Sequence, residues 1–113
     1  MSEFNLNNRN FSLLVNSRNG KANSDTQFNY KQDENLVTAD YFGGSIKYGK
    51  IIGLLNKNKL NMLYQCITTE NELKAGKAIA EINFTEEGKM KLKLNWQWLG
   101  ENNESGISEY IEN

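Results

Sequence analysis

The chain has no histidine, no proline and only one cysteine, Cys66, among its 113 residues. Histidine is the commonest metal ligand and the commonest acid–base group near neutral pH. Its absence excludes Ser/His and Cys/His catalysis and argues against zinc chemistry, and a lone cysteine cannot form a disulfide within the chain. The composition therefore predicts neither a metal site nor a bound cofactor.

Long apolar runs and blocks of like charge are also missing. No apolar stretch approaches the roughly 18–20 residues of a membrane span, and residues 1–8 lack the basic and apolar regions of a secretion signal. The 13 basic and 14 acidic residues nearly cancel, and the lysines are spread singly along the chain. This pattern disfavours nucleic acid and membranes as partners and predicts a soluble cytoplasmic protein.

The clearest pattern in the sequence is the alternation between Lys89 and Gly100. Every second residue is apolar and the residues between them are polar, which is the period of a β-strand with one buried and one wet face. Burial of one indole removes roughly 150–250 Å² of surface from water, so the two tryptophans are expected to anchor the core. The inward positions of this strand are predicted to be Met90, Leu92, Leu94, Trp96 and Trp98.

Seven further segments resemble strands and are separated by turn-forming residues such as Asn19-Gly20. Gly49 in the middle of the fourth segment predicts a bulge or a tight bend. The eight predicted strands are 11–15, 26–31, 36–42, 45–55, 60–69, 73–84, 89–100 and 105–111.

Eight short strands with short polar turns predict an all-β fold, a single antiparallel meander of about eight strands. A sheet of this size either closes or leaves two edges open, so closure into an up-and-down barrel is the first choice and a two-sheet sandwich the alternative. The stretch from Ala78 to Ile82 also fits a short helix. The length predicts one domain over residues 9–113, with residues 1–8 as a loose N-terminal arm.

Three short motifs resemble a group of small bacterial proteins commonly labelled N-acetylglutamate synthase. The motifs are Leu63-Tyr64-Gln65-Cys66, Gly76-Lys77 and Trp96-Gln97-Trp98, and the resemblance covers the chain from about Phe11 to its end. It implies acetyl transfer from acetyl-CoA to the amine of glutamate. In such an enzyme Glu109 would act as the base and Cys66 as the nucleophile, whereas the residues themselves favour an inert buried thiol at Cys66 and no enzymatic activity.

A binding module for a small molecule is the first functional hypothesis. An eight-stranded barrel is just wide enough to be filled by side chains or to hold one small ligand. Trp96, Trp98 and Tyr64 are the predicted aromatic lining, and the competing interpretation is that the same rings only fill the core.

Glu109 is the predicted polar member of this ligand site, because Ile107, Glu109 and Ile111 share one parity of the last strand. If the two isoleucines point inward, Glu109 does too, and a buried carboxylate needs a partner. The alternative is that Tyr110 points inward and leaves Glu109 in water.

A structural or oligomeric role is the third hypothesis. Several strands carry apolar residues on both faces, as in Ile51-Ile52 and Leu54-Leu55, and the excess favours contact with a second copy of the chain. Imperfect register or coverage by the N-terminal arm would explain the same residues without a partner.

Overall fold

The computed structural model describes residues 4–16, 25–100 and 104–113 of the chain. Each strand pairs antiparallel with the next, and β8 pairs with β1, so the sheet closes into an up-and-down barrel. The predicted closed meander is confirmed, and the sandwich alternative is not found. The strands are β1 (Arg9–Asn16), β2 (Gln27–Asp33), β3 (Leu36–Gly43), β4 (Ile46–Asn56), β5 (Lys59–Thr68), β6 (Leu73–Phe84), β7 (Met90–Leu99) and β8 (Ser105–Glu112).

The inward faces follow the predicted alternation. On β7, Met90 and Leu92 are fully buried, and Leu94 and Trp96 are nearly so. The segment from Ala78 to Ile82 is part of β6 rather than a helix, because its alanines fill the narrow space opposite large side chains: Ala78 pairs with Trp96 and Ala80 with Leu94. Small residues therefore face bulky ones across the strand pair.

Among the described residues, the pairing of β1 with β2 is shorter than the other strand pairings. Arg9–Ser12 of β1 pairs with β2 there, and β1 from Phe11 to Asn16 pairs with β8. By contrast, β6 pairs over nearly its whole length with both of its neighbours. The predicted turn at Asn19-Gly20 and residues 101–103 of the predicted last turn lie outside the described residues.

One end of the barrel, which we call the arm end, is covered by Phe4–Asn8. Leu6 is fully buried, and its backbone N–H donates a hydrogen bond to Gln32 Oε1 at 2.8 Å. Phe4 stacks on Phe84 with ring centroids 5.6 Å apart. This part of the predicted loose arm is therefore packed, because Leu6 fills an opening that the strand residues leave.

No helix in the described ranges is long and apolar enough to cross a membrane.

Candidate ligand-binding site

The end of the barrel opposite the arm, which we call the aromatic end, has an interior built from six rings. These rings contact one another: Phe28 stacks on Tyr41 with centroids 4.8 Å apart, and Tyr64 meets Trp98 edge to face at 5.4 Å. Edge-to-face and offset contacts of this kind add to the stabilisation from buried area. This aromatic cluster consists of Phe28, Tyr41, Tyr64, Trp96, Trp98 and Tyr110.

Two glycines make room for two of the tyrosines. A Cβ atom on Gly49 would lie 2.2 Å from Cζ of Tyr41, and one on Gly76 would lie 2.4 Å from Cζ of Tyr64. Each tyrosine ring thus lies over the backbone of the neighbouring strand, where only glycine leaves space. Gly49 was predicted to mark a bulge or a tight bend. The register shift with β5 falls just before it, between Ile46 and Tyr48, and the close approach of Tyr41 is the stronger reason for glycine.

Several hydrogen-bonding groups lie among these rings. Trp96 donates from Nε1 to Ser108 Oγ at 2.7 Å, in a fully buried contact. The hydroxyl of Tyr41 donates to the backbone oxygen of Gln65 at 3.2 Å. Every buried side-chain nitrogen and oxygen among the described residues has a hydrogen-bond partner.

Burial determines the protonation of the phenols. It raises the pKa of Tyr41 and of Tyr64 far above the ordinary value, and the neighbouring Cys66 and Tyr110 raise both further. Burial also raises the pKa of Tyr110 to about 12, while a hydrogen bond with Ser108 acts in the opposite direction. The three hydroxyls are therefore neutral at physiological pH, and the hydroxyl of Tyr41 already donates its single proton to the backbone oxygen of Gln65.

The outer layer of the aromatic cluster is partly open to solvent. Tyr64 and Trp98 are half-buried, whereas Trp96 and Tyr110 beneath them are buried. The ammonium of Lys74 lies over the Trp98 ring, 5.0 Å from its centroid. A molecule approaching the buried hydroxyls from this end would first meet Tyr64, Trp98 and Lys74.

The structure brings three of the four predicted site residues together. Tyr64, Trp96 and Trp98 belong to the aromatic cluster, but Glu109 does not. Of the two predicted orientations of β8, the structure has the second: Tyr110 points inward, and Glu109 lies on the outer face with its Oε1 2.7 Å from Lys91 Nζ. The ring of Tyr110 fills the interior beside Phe28. The carboxylate of Glu109 instead pairs with the ammonium of Lys91 on the outer face.

Sequence reasoning missed four members of the site. Phe28, Tyr41, Ser108 and Tyr110 were not predicted to line a site. The signal for Tyr41 was available in the strand alternation together with Gly49 on the next strand. The described ranges contain no group of three or more side chains that could hold a metal ion.

The outer surface of the barrel carries an open groove of about 740 Å³ across β3 to β8. Among the described residues that line the groove, Lys77 is the only charged one. Five aliphatic side chains that line it are between 45% and 62% exposed: Leu36, Ile52, Leu54, Leu63 and Ile79.

Together these features define a class of protein: a small closed β-barrel whose interior at one end combines aromatic rings with neutral hydrogen-bond donors. The chain matches the family model described as "Avidin-like protein" over residues 4–113, and it belongs to that family. Comparisons with curated proteins and with solved structures find no match. The predicted resemblance to N-acetylglutamate synthase is wrong, because the matching family is a barrel family and the secondary structure of the described residues consists of β-strands.

Proposed function

We propose that the protein binds a small molecule at the aromatic end of the barrel. Barrels of the avidin-like family typically bind small molecules of the biotin type. The observation that carries the proposal for this chain is the partly exposed pair Tyr64 and Trp98 above a set of buried neutral donors. Apolar walls with a few fixed polar groups are the usual composition of a ligand site.

The chemistry of the cluster indicates what kind of ligand group would enter it. The hydroxyls of Tyr64 and Tyr110 stay protonated, and no charged residue is buried in the described part of the chain. An uncharged acceptor, such as the carbonyl oxygen of an amide or a cyclic urea, is the group that such donors stabilise. A ligand would have to move Trp98 or Tyr64, because the rings now contact each other.

Thermal unfolding with biotin as the first probe, and neutral 2-naphthamide as the second, tests this proposal. A ligand present at 100 times its Kd stabilises the native state by about 2.7 kcal/mol, which raises the midpoint by roughly 10 °C for a domain of this size. Replacing Tyr110 by Phe removes one donor and should weaken biotin binding about two- to tenfold. Tyr48→Phe is the matched control, since Tyr48 is on the outer face and bonds to Asp40. Unchanged midpoints with both probes would contradict the proposal.

We further propose that the outer groove binds a second copy of the chain. The exposed aliphatic side chains present on the order of 500 Å² of apolar surface, near the upper end for a monomer and comparable to the apolar part of a standard interface on one partner. Beside them a cross-strand row alternates in charge, and this row suits an isologous contact because it offers both signs to an inverted copy. The row is Lys59, Glu81, Lys93 and Glu109.

Sedimentation velocity tests the proposed self-association. We expect the unmodified chain to sediment as a dimer or larger species, and Leu63→Glu to sediment as a monomer because a buried unpaired carboxylate is costly. Leu73→Glu is the control: Leu73 is 79% exposed and does not line the groove. A monomeric unmodified chain, or equal effects of the two substitutions, would contradict this contact.

A further inference from the structure

Four side chains form a rim around the mouth of the arm end, where the inner rows of their strands begin or end. Gln32 lies two residues after the buried Tyr30, and Phe84 two residues after the buried Ile82, so both have the inward-facing parity of their strands. A polar and aromatic rim thus borders directly on the apolar interior. The rim residues are Arg9, Gln32, Phe84 and Glu112.

The rim binds the backbone of the arm through side-chain groups rather than through strand pairing. Oε1 of Gln32 accepts a hydrogen bond from the N–H of Leu6 at 2.8 Å, and Nε2 of Gln32 donates to the carbonyl oxygen of Phe4 at 3.4 Å. Nε of Arg9 donates to the carbonyl oxygen of Asn5. Because all three bonds go to backbone atoms, they fix the path of the segment without selecting its side chains.

The guanidinium of Arg9 is itself held by a carboxylate. Its Nη1 lies 2.5 Å from Oε2 of Glu112, and Oε1 of Glu112 accepts the backbone N–H of Met90 at 3.0 Å. A donor that is oriented in advance loses less freedom when its acceptor arrives. The rim is therefore prepared for a backbone carbonyl, and because its two charges are paired, the bound segment needs no charge of its own.

The surroundings of the arm select two of its side chains. Leu6 is fully buried in the barrel opening, and Phe4 stacks on Phe84 with ring centroids 5.6 Å apart, whereas Asn5 between them is exposed. Extended peptides are recognised in this way: main-chain hydrogen bonds give affinity, and pockets for alternate side chains give specificity. The pattern that fits this mouth is an aromatic residue, any residue, and leucine.

A tight turn brings the arm back over the mouth. The N–H of Arg9 donates to the carbonyl oxygen of Leu6 at 3.1 Å, and Asn8 within this turn has a φ of +60°. The arm is thus a separate segment that lies on the mouth of the closed barrel. So short a connection gives it an effective concentration on the order of millimolar, and it competes with any peptide from another molecule.

We infer that the arm end is a peptide-binding site for an extended segment of a partner protein with the pattern aromatic–x–leucine. The chain's own residues 4–6 occupy it as a built-in competitor. Exchange of arms between two copies would replace each contact by the same contact, so the occupant is a different protein. This site lies at the opposite end from the proposed small-molecule site and shares no residue with it.

Binding of a short labelled peptide tests the inference. The probe is acetyl-Phe-Asn-Leu-Asn-Asn-amide, which copies residues 4–8, and the control peptide has alanine in place of leucine. We expect Leu6→Ala protein to bind the probe at least about tenfold more tightly than the unmodified protein, because its competitor is weakened. It should bind the probe about ten- to a hundredfold more tightly than the control. Fluorescence anisotropy measures both differences.

Further substitutions in the Leu6→Ala chain test the rim. Gln32→Met removes both backbone hydrogen bonds and should weaken binding of the probe about tenfold. Gln65→Met is the matched control and should leave the affinity unchanged, since Gln65 is exposed on the outer face of β5. If Leu6→Ala is unfolded by itself, circular dichroism reports the same binding, because the probe, and not the control, should restore the folded signal.

Three results would overturn the inference. The first is equal affinity for probe and control, or an affinity for the probe that Gln32→Met leaves unchanged. The second is a Leu6→Ala protein that binds no probe, or an unfolded one that the probe does not refold. The third is co-sedimentation of unmodified and labelled Leu6→Ala chains that the probe abolishes, which would make a second copy the occupant. None of these results bears on binding at the aromatic end.

Discussion

The two ends of this barrel are filled by different kinds of side chain. At the arm end, aliphatic side chains such as Leu60, Ile82 and Leu92 are almost fully buried, and Leu6 covers the opening. At the aromatic end, hydroxyls and an indole N–H are buried with the rings, and their hydrogen bonds must all be satisfied. The arm end therefore contributes stability at little polar cost, whereas the aromatic end keeps buried polar groups that a purely structural core would not require.

The largest expected effect appears in alkaline solution. Burial raises the pKa of Tyr41, Tyr64 and Tyr110 at the aromatic end and also that of the fully buried Tyr30, so between about pH 10 and 12 the folded protein holds protons that the unfolded chain has released. Stability is fully present below about pH 10 and is lost as the pH rises, by up to about 1.4 kcal/mol per pH unit for each tyrosine.

Urea unfolding at several alkaline pH values, followed together with tyrosinate absorbance, measures this loss. Tyr64→Phe should make the decline of stability with pH shallower by up to about 1.4 kcal/mol per pH unit, because one titrating group is gone. A stability that stays constant to about pH 11 would show that the aromatic cluster is far more solvated than its geometry indicates.

The second expected effect concerns the arm end. Leu6→Ala should lower the free energy of unfolding by about 2–5 kcal/mol, because Leu6 is fully buried and the strands cannot collapse into the space it leaves. Chemical denaturation measures the change, and Leu73→Ala on an exposed site should cost less than about 0.5 kcal/mol. A loss below about 1 kcal/mol for Leu6→Ala would mean that the arm is dispensable for closing this end.

The third and smallest expected effect is at the aromatic end. Gly76→Ala should cost about 1–3 kcal/mol, because the added Cβ would meet Cζ and the hydroxyl of Tyr64 at 2.4 Å and a backbone oxygen of Gln97 at 2.7 Å. Combining it with Tyr64→Leu should recover part of the loss, and a double-mutant cycle gives the coupling energy. Purely additive effects would contradict the packing of Tyr64 over Gly76.

Most of the fold was predictable because the two-residue period of a strand identifies its buried face. A register slip of one residue would move Leu92 and Trp96 to the solvent side, so the alternation in β7 leaves a single arrangement. Polar turn residues separated the strands clearly, and closure followed from the number of edges that an open sheet would expose.

The candidate site was less predictable, for two reasons. In β8 both parities carry large side chains, Ile107 and Ile111 on one and Tyr110 on the other, so the period alone could not decide the orientation of Glu109. The approach of Lys74 to Trp98 depends on the register of two pairings, which no local pattern in either strand encodes. Residues that meet across strands are determined by the closed barrel rather than by their own segments.

The pairing of β1 with β8, which closes the barrel, also affects the rates at which the barrel forms and opens. The strands from β4 to β7 follow one another along the chain, whereas the β1–β8 pairing joins segments about a hundred residues apart and requires a large loop to close. We expect the central meander to form early and the β1 seam to close last. In native-state hydrogen exchange, the amides of β1 should therefore exchange through smaller openings, and sooner, than those of β6.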